Sequence, residues 1–84
     1  MTEQAIREKP SEENQGRICY WKDDDGLWWC YLPGCGAGML TDHTVVEHED
    51  RTITVSPSIK MTGHHKGTPT EKHGYVEHGV WRDA

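Results

Sequence analysis

The stretch Gly26-Leu27-Trp28-Trp29-Cys30-Tyr31-Leu32-Pro33-Gly34-Cys35-Gly36 decides how this chain reads. Trp, Tyr and Leu favour a pleated strand, and Pro-Gly ends one. The strand delivers Cys30 near its end and Cys35 in the turn that follows. Two thiols held at a strand end suit a metal knuckle.

Working backwards, Arg17–Lys22 is a second aromatic-rich run, separated from Leu27–Leu32 by Asp23-Asp24-Asp25-Gly26. This reads as a hairpin. A turn centred between Asp24 and Asp25 pairs residues whose numbers sum to about 49. Tyr20 then faces Trp29, Trp21 faces Trp28 and Cys19 faces Cys30. In that register the two sulfurs share a metal or bond to each other, whereas a slip of one residue separates them onto opposite faces.

Working forwards, Gly34–Gly38 reads as a glycine-rich bend, followed by the apolar Met39-Leu40. It lacks the Gly-Lys-Ser/Thr end of a phosphate-binding loop. His43–His48 and Arg51–Ser56 form a second hairpin around Glu49-Asp50, with Val46 opposite Ile53 and Thr44 opposite Val55. Pro57 ends that strand or leaves it at an edge. Thr62–Lys72 is a loop by composition. Gly74–Glu77 and Val80–Arg82 make a third hairpin around His78-Gly79, with Val76 facing Trp81. No long 3.6-residue periodicity supports a helix.

The chain has 84 residues, 33% of them hydrophobic, and no Phe. Residues 1–16 are polar, Glu-rich and broken by Pro10, which predicts a disordered acidic tail. The expectation is a single small domain over 17–84, mostly β, an antiparallel sheet of three hairpins. At that size a core alone seldom supplies more than about 3–5 kcal/mol, so a zinc staple is expected. The net charge of −5 argues against non-specific nucleic-acid binding. No apolar run crosses a membrane, and the N-terminus lacks a signal-peptide core, so a cytoplasmic location is expected.

The expected zinc ligands are Cys30, Cys35, His65 and His73, with Cys19 and His64 as secondary candidates. Cys-x4-Cys is looser than the usual knuckle, and His64 and His65 are adjacent, so one ligates while the other points away. His43, His48 and His78 read as solvent-facing. Trp29 and Trp81 are expected in the core, leaving Tyr20, Trp21 and Trp28 as an aromatic interaction face. Catalysis is less well supported: Cys35 with His73 is the nearest thing to a nucleophile–base pair, and no His-Glu-x-x-His is present.

Three segments resemble a family of small phage and bacterial proteins, the DUF6527-like proteins. They are Leu32-Pro33-Gly34-Cys35-Gly36, Thr52-Ile53-Thr54-Val55-Ser56-Pro57-Ser58-Ile59, and His73-Gly74-Tyr75-Val76-Glu77-His78-Gly79-Val80-Trp81. The resemblance implies a metal-binding domain of phage or prophage origin with Cys35 and His73 on ligand positions. The family's second turn Cys and the Cys before His73 are missing here, with Cys30 and His64 or His65 as replacements. The functional expectation is a non-enzymatic phage accessory protein that binds a host or phage protein. The alternatives are a small metal-dependent hydrolase or nuclease, and an acidic nucleic-acid-mimic inhibitor.

Overall fold

Turn chemistry sets the architecture. The computed structural model describes residues 2–84, except for the side chain of His65. Eight strands follow one another: β1 (Thr2–Gln4), β2 (Cys19–Lys22), β3 (Trp28–Leu32), β4 (Gly36–Met39), β5 (Thr44–Glu47), β6 (Ile53–His65), β7 (Thr68–Glu77) and β8 (Val80–Asp83). They form two antiparallel sheets, one ordered β1-β8-β7-β6-β5 and one ordered β2-β3-β4. No helix occurs among the described residues. The class is therefore mostly β, as expected, but the hairpins are divided between two sheets.

The β7–β8 hairpin has the expected register, with Val76 opposite Trp81. His78 and Gly79 both have positive φ, 47° and 77°, as a two-residue type I′ turn requires. The other two expected registers are each off by one. In β2–β3 the pairs are Tyr20 with Cys30 and Trp21 with Trp29. In β5–β6, Val45 pairs with Val55 and Val46 with Thr54. Both loops contain three residues, the third left-handed: Gly26 at φ 81° and Arg51 at φ 71°. An odd number of loop residues moves each register by one position from the even-length turns expected, and so exchanges the faces.

Two segments read as irregular are strands. Thr62–Lys72 lies mostly in β6 and β7, which turn at Lys66-Gly67 with φ of 52° and 79°. Its Gly and Pro content hides the pairing because this end of the hairpin is largely exposed. Beyond the Pro33-Gly34-Cys35 turn, Gly36–Met39 pairs with β3 instead of bending away. Gly34 at φ 83° and the bond from Cys35 N to Leu32 O, 2.9 Å, give the turn type II character. Pro57 does not end β6. It lies at a register irregularity between Val55 and Ile59, just past the last β5 partner, where no ladder donor is needed.

The first sixteen residues are also placed differently from the tail expected. Thr2–Gln4 pairs with β8, and Ala5 is buried and donates its N–H to Gly79 O. Ile6 then bridges to Cys19 at the edge of the small sheet. The segment ties the two sheets together through nonlocal contacts that composition cannot reveal.

The core lies between the inner faces. Tyr20, Cys30, Leu32 and Leu40 meet Ile53, Val55, Ile59, Val76 and Trp81, with Trp28, Val45 and Met61 packed against them. Two glycines permit close approaches. A Cβ on Gly63 would lie 2.8 Å from Cys35 Cα, and one on Gly74 would strike Arg82 O and the Trp81 indole. The first contact seats the Pro33-Gly34-Cys35 turn on the β6–β7 hairpin. Thr70 Oγ1 fixes it there by donating to Gly34 O at 2.6 Å.

Candidate functional site

The β2–β3 register decides which aromatic side chains are available. With Tyr20 opposite Cys30, both point into the core, and the next pair, Trp21 and Trp29, projects from the outer face. The two indoles stack with centroids 6.0 Å apart and planes 6° from parallel. Trp29, expected in the core, is therefore on the outer surface, while Tyr20, expected on the interaction face, is 4% exposed. Trp28 packs half-buried against the core, with Arg7 Cζ 5.0 Å and Lys22 Nζ 5.6 Å from its ring centroid. Of the expected interaction residues Tyr20, Trp21 and Trp28, Trp21 stands on this outer face.

Asp23 organises the stack. Its Oδ1 accepts from Asp25 N and Leu27 N, both at 2.9 Å, and its Oδ2 accepts from Trp29 Nε1 at 2.8 Å. These bonds, led by the one from Trp29, hold the Asp23 carboxyl below its ordinary range. A shallow cleft of about 390 Å³ lies against the stack, lined by Lys9, Pro10, Trp21, Asp23 and Trp29. The same outer face carries Met39 opposite Trp29, 49% exposed.

Lys9 and Pro10 are held there by Asn14, a buried polar residue the sequence reading passed over. Its Oδ1 accepts from Ser11 N at 2.6 Å. Its Nδ2 donates to Glu8 Oε2 at 3.2 Å and to Lys9 O at 3.1 Å. The signal in the sequence is Pro10-Ser11 followed by Asn14, residue types that bond to nearby backbone in turns.

The expected zinc ligands are dispersed. Cys30 is buried in the core, where burial pushes its thiol up to about 12. Cys19, also buried and raised by burial, directs Sγ at Arg17 O, 3.4 Å away. Cys35 Sγ lies 3.6 Å from Met61 O and 3.7 Å from Thr70 Oγ1. His73 is three positions from Thr70 on β7, so it projects from the opposite face, where its Nε2 lies 2.8 Å from Ser58 Oγ. His64 is exposed, pairs with Pro69 in the ladder and lines a shallow cleft with Gly63, Thr70 and Glu71. The His65 side chain lies outside the described residues. Among those residues no three His, Cys, Asp or Glu side chains gather to hold a metal ion. Cys30, Cys35 and His73 do not fit a common zinc site, and Cys35 meets the back half of the chain through Gly63 and Thr70.

Two histidines expected to face solvent do otherwise. His43 is half-buried, with Nε2 3.1 Å from Ser58 O. His48 is half-buried and stacks on His78 at 3.8 Å between centroids, 7° from parallel. Thr54 Oγ1 joins the two turns, 2.7 Å from His48 Nε2 and accepting from His78 N at 3.0 Å.

No family model, no curated protein and no solved structure matches this chain.

Proposed function

We propose that this chain is a non-enzymatic protein-interaction module whose working surface is the outer face of the β2–β3–β4 sheet. The observation that carries this reading is the Trp21–Trp29 stack, two large aromatic side chains standing outside the core in a domain short of apolar residues. Trp is enriched among the few residues that dominate binding energy at protein interfaces. Exposed Met39 beside the stack extends the apolar area, and Met adapts readily to different partner shapes. The bond that Trp29 Nε1 donates to Asp23 Oδ2 holds the indole in place, which lowers the entropy lost on binding. A phage or host protein as the partner rests on the resemblance of the Pro-Gly-Cys-Gly and Ser-Pro-Ser-Ile segments alone.

The test is affinity capture from infected and uninfected host lysates, comparing the wild-type chain with Trp21→Ala. The expected result is a partner retained by the wild type and lost by Trp21→Ala, with circular dichroism and melting temperature nearly unchanged. Equal retention by the two proteins, or none by the wild type, overturns the reading.

A further inference from the structure

One wall of the cleft beside Trp21 and Trp29 is a short piece of this chain, and its chemistry indicates what the surface accepts. Lys9 and Pro10 line it together with both indoles and Asp23. A proline ring offers a flat apolar face, has no N–H to desolvate and fixes its backbone in an extended form. Aromatic-lined grooves take such segments at low entropic cost. The Lys9 charge lies close enough to help hold the Asp23 carboxyl ionised. Asp24 and Asp25 stand exposed beyond it in the same turn. Trp29 Nε1 is committed to Asp23. Trp21 Nε1 has no acceptor among the described residues, and so remains a donor for a peptide carbonyl.

The ligand implied has an extended backbone rich in carbonyls, a ring that lies on indole and a cation for the acidic turn. We infer that the Trp21–Trp29 cleft binds extended, proline-containing peptide segments with Lys or Arg beside the proline, and that Lys9-Pro10 is an internal stand-in competing for the same place. The inference rests on the interaction-module reading and adds the class of partner. The stand-in belongs to no strand. Between the Ile6 bridge and Arg17 the loop is fixed by the Asn14 side-chain bonds to Glu8, Lys9 and Ser11, and by backbone bonds from Asn14 N to Ser11 O and from Arg17 N to Asn14 O. Arg7 donating to Glu47 and to Arg51 O, and Tyr31 Oη donating to Gln15 O, fix it further. Lifting it leaves every strand pair intact. An oligonucleotide is disfavoured, because its phosphates would meet Asp23, Asp24 and Asp25.

The full chain is titrated with a synthetic peptide of tandem Lys-Pro dipeptides, and the indole N–H signals of the four tryptophans are followed by NMR. Saturable shifts are expected at Trp21 and Trp29, with those of Trp28 and Trp81 nearly fixed. Replacing the peptide prolines by Ala weakens binding about tenfold or more, the cost of roughly 1.4 kcal/mol. Replacing its lysines by Glu weakens it further. In the protein, Pro10→Gly and Asn14→Ala free the cleft and tighten binding by about threefold, as removal of a competing occupied state does.

Three outcomes overturn the inference: no saturable shift with the wild type and with Pro10→Gly alike, equal binding of the Ala-for-Pro peptide, or movement of the same indoles by oligothymidylate in its place. If Trp21→Ala still abolishes partner capture from lysate while the peptides fail, the partner class is wrong and the interaction module stands. If both experiments fail, the module reading falls with it.

Discussion

The β2–β3 and β5–β6 hairpins close through three-residue loops, whereas β7–β8 closes through two. In the longer loops the bonds superimpose. Gly26 N donates to Asp23 O and Asp23 N to Leu27 O, while Arg51 N donates to His48 O and His48 N to Thr52 O. In each a left-handed third residue completes the reversal, as in the three-residue loops common in hairpins. The added residue has no side chain in the core, yet it decides which neighbours enter the core. A two-residue β2–β3 loop would exchange the two faces of one strand relative to the other. The three-residue loop sends Tyr20 and Cys30 inward together, and Trp21 and Trp29 outward together. The proposed binding face depends on a turn before it depends on any tryptophan.

The comparison breaks most severely at the shorter loop, because its register places the largest core side chain. Trp81 is 1% exposed, lies opposite Val76 and donates Nε1–H to Asp83 Oδ1 at 2.7 Å. Trp81→Ala should cost about 3–5 kcal/mol, comparable to the whole stability of a domain this small. Far-ultraviolet dichroism and urea titration should show a largely unfolded chain, with Trp81→Phe retaining a cooperative transition. A folded Trp81→Ala protein would mean that the five-stranded sheet contributes little to the core.

The longer loops differ from each other in one respect, and opposite substitutions expose it. Gly26 takes its left-handed φ without strain, whereas Arg51 holds a similar φ with a Cβ present. Gly26→Ala should cost about 1–2 kcal/mol. Arg51→Gly should gain up to about 1 kcal/mol, the relief being offset by the greater freedom of glycine in the unfolded chain. Denaturant midpoints check the two signs. Destabilisation by both substitutions would show that the Arg51 side chain contributes stability that outweighs the strain of its backbone.

The existence of most strands was legible in the sequence, because Trp, Tyr, Val, Ile and Thr cluster between Gly, Pro and Asp. The β7–β8 register was legible too, since His78-Gly79 suits two consecutive positive φ values. Arg51 was not, because nothing in its chemistry announces a left-handed residue, and Gly26 was counted without the bulge that it forms. The N-terminal segment was misread for a different reason. Ala5 and Ile6 carry too little apolar character to mark a buried strand, and their backbone partners, Gly79 and Cys19, are far away in sequence. The candidate site was half legible: an aromatic hairpin face of Tyr20, Trp21 and Trp28 was expected, and of these Trp21 stands there, paired with Trp29. Nor could the sequence show that Cys35 lies against the Thr70 side of β7 while His73 projects from the other.

Acid should separate the two loop types. Asp23 in one long loop and Asp50 in the other accept local bonds, Asp50 Oδ1 from Thr52 N at 3.0 Å and Thr52 Oγ1 at 2.6 Å. Both carboxyls are held below their ordinary range, Asp23 chiefly by Trp29 and Asp50 chiefly by the Thr52 hydroxyl. A folded-state value below the unfolded one stabilises above the unfolded value, near 3.9, and that stability is lost as pH falls through the folded value. Melting temperature should therefore fall as pH drops below about 4, and less steeply in Asp23→Asn and Asp50→Asn. Parallel wild-type and variant profiles would remove the carboxylates from the turn mechanism. Trp29 fluorescence in the same titration reports whether the stack loosens with its turn.

Alkali probes the inward side of the same register, and near neutrality its effect vanishes. Cys30 faces the core beside Tyr20, and burial pushes its thiol up to about 12, from an ordinary value of about 8.5. Between those values the unfolded chain releases a proton that the native chain keeps, so stability is complete below about 8.5 and declines as pH rises. Tyr20 is raised from 10.0, also by burial, and adds a loss of the same sign only at higher pH. A window of about pH 8 to 9.5 therefore isolates the cysteines. Urea midpoints across it should fall in the wild type and fall less in Cys30→Ala, which shifts the whole curve downward through its cavity without supplying a proton. Cys19, buried and raised as well, leaves some slope in that variant. Half-exposed Cys35 should react first with a thiol reagent in the native protein. Equal reactivity of Cys30 would place its sulfur on the outer face, and with it would go the one-residue shift that brings Trp21 and Trp29 together.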